Sequence, residues 1–342
     1  MTAAKGMNAR HLLAWLATFL LPTCDASAAS VLPLTPFDKH SQTVCIGRHQ
    51  MDLPADFEQS MGSVSVFTLP DQADTGAPIS VAVKAARMDR AAFTLQVDQR
   101  HSAILGAARK ATDILKEVIT VSTEARIFRI NEVDDAYKDE MHLWKDGVYL
   151  VASTASYDNT YMEAEARLKA FVAGIEVTAS TPQSGFCLGP VVVKGTYVGE
   201  YGKFSYRSKN VPDVQVAVVI DTYARNEKKD LLQRVAGGDS LLTRMNARPT
   251  VLRKGELTVA GMRAQQWLSA MQVGRHGERK QYSFALETIR GAPAPLHPMI
   301  YLEFDTGRKG SDPTRTTSAL SDEKALAFWD SIAKTIKARP GN

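Results

Sequence analysis

The sequence predicts an α+β fold of two similar tandem domains, each a largely antiparallel sheet with packed helices, together forming a bilobal, clamp-like molecule. Three observations lead there. Two related phrases, Val44-Cys45-Ile46-Gly47 and Phe186-Cys187-Leu188-Gly189, each open a similar succession of elements. Strand runs are linked by hairpin signals rather than by regular βαβ crossovers. Each half closes on an amphipathic helix. The 342 residues, 44% hydrophobic and 23% charged, supply ordinary globular material for two domains at about 100 to 200 residues each. A formal charge of +4 lacks the basic surplus that a phosphate backbone demands, so nucleic-acid binding is not expected.

Residues 1–28 read as a secretory signal peptide: Lys5 and Arg10, an apolar run from Leu12 to Leu21, then Ala26-Ser27-Ala28. The run is about half the roughly 20 apolar residues of a bilayer-spanning helix, which weighs against a permanent membrane span. Acylation of Cys24 is the alternative, although Leu21-Pro22-Thr23 is a poor approach to a lipidated cysteine. Cleavage after Ala28 would remove Cys24 and leave Cys45 and Cys187 in a compartment that permits disulfides. One bridge is the natural count; two separate buried thiols are the alternative.

The N-terminal domain is expected over 29–180. Ile79 to Val83 alternates as a strand and precedes a helical patch. A strand pair from Ile114 ends near Ile130. Met141 to Lys145 and Val148 to Val151 flank Asp146-Gly147, a dipeptide that supplies the positive φ angles of a two-residue hairpin turn. Leu168, Phe171, Val172 and Ile175 then share one helical face, with Thr160 and Glu163 at capping-box spacing. The stretch Thr178 to Gly185, rich in Thr, Ser, Pro and Gly, reads as a connector.

The C-terminal domain, 186–340, repeats the order. Val214 to Val218 answers Ile79 to Val83, and a strand pair from Val251 ends near Leu268. Tyr282 to Glu287 and Met299 to Phe304 form the next pair, joined by a longer, proline-bearing segment from Thr288 to Pro298. Ala325, Trp329, Ile332 and Ile336 make the closing helix stripe, with Asp322 and Glu323 suited to its N-terminus.

Catalytic chemistry is hard to find. Gly238-Asp239-Ser240-Leu241 matches a serine-esterase string, but it follows a helical stretch instead of a buried strand and lacks its acid–base partners near His297; helix capping by Asp239 or Ser240 is the better account. There is no nucleophile elbow, phosphate loop, calcium loop or zinc spacing among the scattered histidines. His142 reads as a packed strand residue, and Asp134-Asp135 and Asp139-Glu140 read as solvated charge around Tyr137. No catalytic residue, metal or cofactor is expected. An envelope lipoprotein or small-ligand-binding protein, and an exported esterase, are the alternatives to a protein that binds another macromolecule.

Thr43 to Pro54, with its Cys-x-Gly-Arg start and apolar-Asp-apolar-Pro continuation, and Gly185-Phe186-Cys187 resemble phrases of the periplasmic immunity proteins that neutralise phospholipase effectors of the type VI secretion system. The resemblance runs from about Ser41 to Arg339; His49 stands where an aromatic residue is expected. It implies a periplasmic inhibitor without turnover, whose partner is a phospholipase effector and which closes that enzyme's lid or substrate entrance. It also implies structural roles for Cys45 and Cys187, as a bridge, and for Gly47 and Pro54. Contact residues are read only from where the second half exceeds the first. These are Pro293, Pro295 and His297 in one loop, and Arg308, Lys309 and Arg315 in the segment after the last long strand.

Overall fold

A computed structural model describes residues 37, 40–70, 77–108, 114–182, 184–223, 229–236, 249–273, 279–289, 294–307 and 318–341. The segment 1–28, Cys24, the Gly238–Leu241 string, Pro293, Arg308, Lys309 and Arg315 lie outside the described residues.

The first copy of the repeat runs β1 (Ser41–Ile46), β2 (His49–Pro54), β3 (Phe57–Gln59), β4 (Val64–Thr68), β5 (Ile79–Ala85), α1 (Arg90–Ala108), β6 (Ile114–Ser122), β7 (Ala125–Val133), β8 (Ala136–Lys145), β9 (Val148–Tyr157), α2 (Tyr161–Ala173) and β10 (Ile175–Val177). The second runs β11 (Phe186–Leu188), β12 (Val191–Val193), β13 (Gly199–Ser208), β14 (Val214–Asp221), α3 (Leu231–Ala236), β15 (Thr250–Val259), β16 (Met262–Val273), β17 (Arg279–Thr288), β18 (Met299–Thr306), α4 (Asp322–Ala333) and β19 (Lys337–Ala338). Apart from β3, which has no counterpart in the second copy, the order expected from the duplicated phrases is present.

What the two copies build together departs from two lobes on a connector. A single 13-stranded antiparallel sheet runs β15-β16-β17-β18-β14-β13-β4-β5-β9-β8-β7-β6, with β3 also paired to β13. Its centre is the junction of β4 with β13, Ser65 opposite Gly202 and Thr68 opposite Gly199, and each strand outward on one side has its counterpart on the other. Residues 35–342 accordingly form one compact unit. The physical reason is edge pairing: β4 and β13 would each expose a row of backbone N–H and C=O groups, and joining them satisfies both.

The small sheets repeat this exchange. Strand β10, at the end of the first copy, pairs with β12 of the second, whereas β19, at the end of the second, pairs with β2 of the first. Each hairpin thus takes its third strand from the other copy.

Side chains follow the pleat. Val148, Leu150 and Ala152 of β9 join the main core, while Tyr149 and Val151 face the opposite side beneath α1. There Phe93, Val97 and Ile104 of α1 pack on Phe128, Ile130 and Tyr149. The main core spans both copies: Phe67 of β4 meets Phe171 of α2 at 5.3 Å and Phe186 of β11 edge-on at 5.0 Å between ring centroids. The α4 stripe is buried as expected, and Trp329 also donates from Nε1 to Gln266 Oε1 at 3.0 Å. The N-cap of α4 is Ser321, which accepts from the Lys324 N–H.

Two local expectations change. Thr160 makes no side-chain cap to α2; its hydroxyl is occupied with the Tyr157 backbone, so the capping box does not form. Asp139 and Glu140 are buried rather than solvated. Adjacent on a strand, they point to opposite faces, and each meets an arginine, one directly opposite on β7 and one from α1. Arg129 donates to Asp139 at 2.8 and 3.2 Å, and Arg100 to Glu140 at 2.7 and 3.0 Å. The Asp146-Gly147 turn has the expected geometry, with φ of 48° and 83°.

Candidate partner-binding site

The two cysteine hairpins meet where the copies meet. Gly47 and Gly189 take φ of 61° and 65°, the left-handed region that glycine reaches without strain, and this lets each hairpin reverse directly after its cysteine phrase. A disulfide joins Cys45 to Cys187, with Cα atoms 5.9 Å apart, and the Cys187 N–H donates to the Gly47 carbonyl at 3.0 Å. The alternative of two free thiols is thereby set aside.

Buried charge surrounds the junction. Arg48 reaches from the first hairpin to Glu200 on β13, donating from Nε to both carboxylate oxygens at 2.9 Å and from Nη2 at 2.6 Å, and also to the Gly195 carbonyl at 2.8 Å. Burial raises the Glu200 pKa even against Arg48. Arg339, beyond β19, donates to the carbonyls of Gly47, Gly185 and Pro182 and so ties the chain end to both hairpins. Burial, with Arg48 repulsion behind it, lowers its pKa to about 10. His49 is fully buried, and its ring nitrogens make no hydrogen bond of ordinary geometry. Burial pushes it down to about 4; the Leu296 backbone opposes that shift, and Arg339 and His297 add to it.

Beside this junction lies an open groove of about 660 Å³. Gln42 to Cys45 of β1 form one wall and the segment Val177 to Pro182 another; Phe57, Tyr206 and Val148 contribute apolar surface, and Arg87 and Asp146 contribute charge. No part of this was indicated by residue type, because its walls are a strand edge and a connector.

The expected contact residues fall elsewhere. Pro295 and His297 sit in a tight turn in which the His297 N–H donates to the Ala294 carbonyl at 2.9 Å. His297 is exposed and Pro295 half-buried, and neither borders the groove. Instead of projecting freely, this loop comes to His49 of the first copy through Leu296 and His297.

His142 belongs to a closed relay beneath α1. Its Nδ1 lies 2.6 Å from the Tyr149 hydroxyl and its Nε2 2.9 Å from Glu140 Oε1. Burial opposes ionisation of Glu140, but the bonds from His142 and Arg100 hold its carboxyl well below the usual range. Burial raises the Tyr149 hydroxyl to about 12. With His142 2% exposed, the relay is a packing device with no approach for a substrate. Among the described residues, no group of three or more His, Cys, Asp or Glu could hold a metal, and no helix is long and apolar enough to cross a membrane.

Comparison with known proteins adds the family. No curated protein matches the sequence. Three solved structures share the fold. The apo immunity protein TplEi of the type VI secretion system from Pseudomonas aeruginosa is 18% identical, covering 88% of this chain and 98% of that one at a TM-score of 0.64. The Tle4–Tli4 complex gives 18%, 88%, 98% and 0.63, and TplEi complexed with an "L" peptide gives 19%, 89%, 99% and 0.60. At such identities the likeness is one of fold. The sequence match is to the Tle cognate immunity protein 4 C-terminal domain, over 181–341. Residues 181–341 therefore match the family model of the Tle cognate immunity protein 4 C-terminal domain, and the described chain shares its fold with those three solved structures.

Proposed function

We propose that this chain is a type VI secretion immunity protein that binds a phospholipase effector and inhibits it in the periplasm, by obstruction and without chemistry of its own. The observation that carries this is the family match over 181–341 in a chain that shares its fold, over 88% of its length, with a chain of the Tle4–Tli4 complex. A lipase whose substrate passes a mobile lid is silenced when that lid or its entrance is held, and its serine need never be touched.

The two copies, 29–180 and 186–340, act here as halves of one continuous platform, so the partner's lid is the moving part and the inhibitor the fixed one. The loop bearing Pro293, Pro295 and His297 and the segment bearing Arg308, Lys309 and Arg315 extend the contact beyond that platform. Residues 1–28 export the chain. Protection before membrane damage calls for nanomolar affinity, about −12 kcal/mol, and an interface near the standard size of roughly 1,600 Å².

The test is co-purification with a type VI phospholipase effector of the producing cell, followed by titration of that enzyme's activity. A stable complex and stoichiometric loss of lipase activity are expected. The absence of both, or turnover of ester substrates by the purified chain alone, would refute the reading.

A further inference from the structure

Among the described residues no strand pairs with the outer edge of β1, and the pairing register tells which groups that edge offers. The Ala55 N–H donates to the His40 carbonyl. Antiparallel pairs alternate between bonded and non-bonded positions, so Gln42, Val44 and Ile46 bond to β2, while Ser41, Thr43 and Cys45 turn their backbone groups outward. The Asp52 N–H, opposite Thr43, accordingly leaves the hairpin for the Thr335 hydroxyl at 2.9 Å. The Cys45 carbonyl accepts from Tyr206 at 3.4 Å. Among the described residues nothing bonds to the N–H or C=O of Thr43, which is exposed.

Four successive residues, Gln42 to Cys45, border the groove. A strand that met a cavity with one face would present only alternate residues, so β1 lies edge-on to it. The outer strands of the large sheet are treated differently. Strand β6 carries register shifts, one of them between Leu115 and Glu117, and β15 carries one between Val251 and Arg253. Lys116, Glu117, Arg253 and Lys254 add charge at those places. Bulges and charges of this kind blunt an edge against further pairing. The β1 edge has neither: its register is unbroken, and its side chains from Ser41 to Val44 are neutral.

We infer that the β1 edge is a receptor for one extended, uncharged segment of the phospholipase effector, which adds as a further strand through Thr43 and turns alternate side chains toward Phe57 and Tyr206. This is recognition by β-addition, in which the main chain supplies affinity and the groove floor supplies selection. It rests on the function proposed above and names where part of the partner is held.

Two variants and one measurement test it. Thr43→Pro removes the outward N–H at a position where an edge strand tolerates proline. Ser180→Trp, on the opposite wall, fills the groove and leaves β1 untouched. Lys116→Pro on the blunted β6 edge is the control. Thr43→Pro and Ser180→Trp should each weaken binding of the co-purifying lipase by about tenfold or more, with the control near wild type. In hydrogen exchange, the Thr43 amide should exchange freely in the isolated protein and become protected in the complex. Wild-type binding by both groove variants, an unprotected Thr43 in the complex, or protection already present in the free protein would overturn the inference. A wild-type chain that binds no lipase at all would instead overturn the proposed function.

Discussion

The two copies agree on one sheet face and differ on the other. On the shared-core face, α2 and α4 lie over equivalent strands. On the opposite face, α1 spans 19 residues and docks through Phe93, Val97 and Ile104, whereas α3 spans 6 and docks largely through polar bonds. The Leu232 N–H donates to Gln265 Oε1 at 3.0 Å, Gln265 Nε2 donates to Asp230 at 3.1 Å, and Arg234 bonds Glu287 at 2.6 Å. One element of the pairing survives the divergence: an arginine from the helix reaches a glutamate on the equivalent strand, Arg100 to Glu140 on β8 and Arg234 to Glu287 on β17. A duplicated fold can thus keep its joint intact and still set two different faces outward, because the joint and the outer helices use opposite sides of the pleat.

The strongest way to break the comparison is to cut the bond that unites the copies. Replacing Cys45 and Cys187 together with Ala releases a closure across a sequence separation of 142 and should cost about 5 kcal/mol in the chain-entropy account, read as a fall in the urea midpoint. Next comes the contrast between the two glutamates. Glu140→Ala leaves Arg100 and His142 without their buried acceptor and should cost about 3 kcal/mol or more, while Glu287→Ala, at a looser helix, should cost about 1 kcal/mol. Because the folded Glu140 carboxyl lies below its unfolded value of 4.5, its stabilisation is complete above that pH and is lost as pH falls through the folded value.

His49 comes third. Counting from each cysteine, Val191 occupies its place in the second copy. A histidine at about 4 folded and 6.5 unfolded is neutral in the native state, so the unfolded chain binds more protons as pH drops from 6.5 to 4. Stability should fall by about 3 kcal/mol across that window, and His49→Val should flatten the decline in melting temperature. Smallest is Arg234→Ala: a partly exposed pair is worth about 1 kcal/mol or less, and faster hydrogen exchange should be confined to α3.

Much of this architecture was readable in advance. Alternating Val and Ile at 79–83 and 214–218, the Asp146-Gly147 turn and the closing helix stripes are local signals, and local signals survive in sequence. The pairing of β4 with β13 and the exchanged strands β10 and β19 are decided by tertiary closure, and Val64 to Thr68 reads like any other strand. Asp139 and Glu140 read as surface charge because they adjoin Tyr137 and Lys138. The period-2 alternation that sends them to opposite faces was the available sign. The groove is invisible to residue type, being made of main chain at Thr43 and a connector near Ser180, while Pro295 and His297 stand out by composition and fall outside it.

The reciprocal lending of β10 and β19 works like a buckle with a tongue on each side. A gene fragment cut at the family boundary, 181–341, would keep β11 and β12 but leave their third strand behind, and would carry β19 with nowhere to fasten it. Neither half is therefore a free-standing part, and a split version should recover its shape only when both pieces are made together and allowed to clasp.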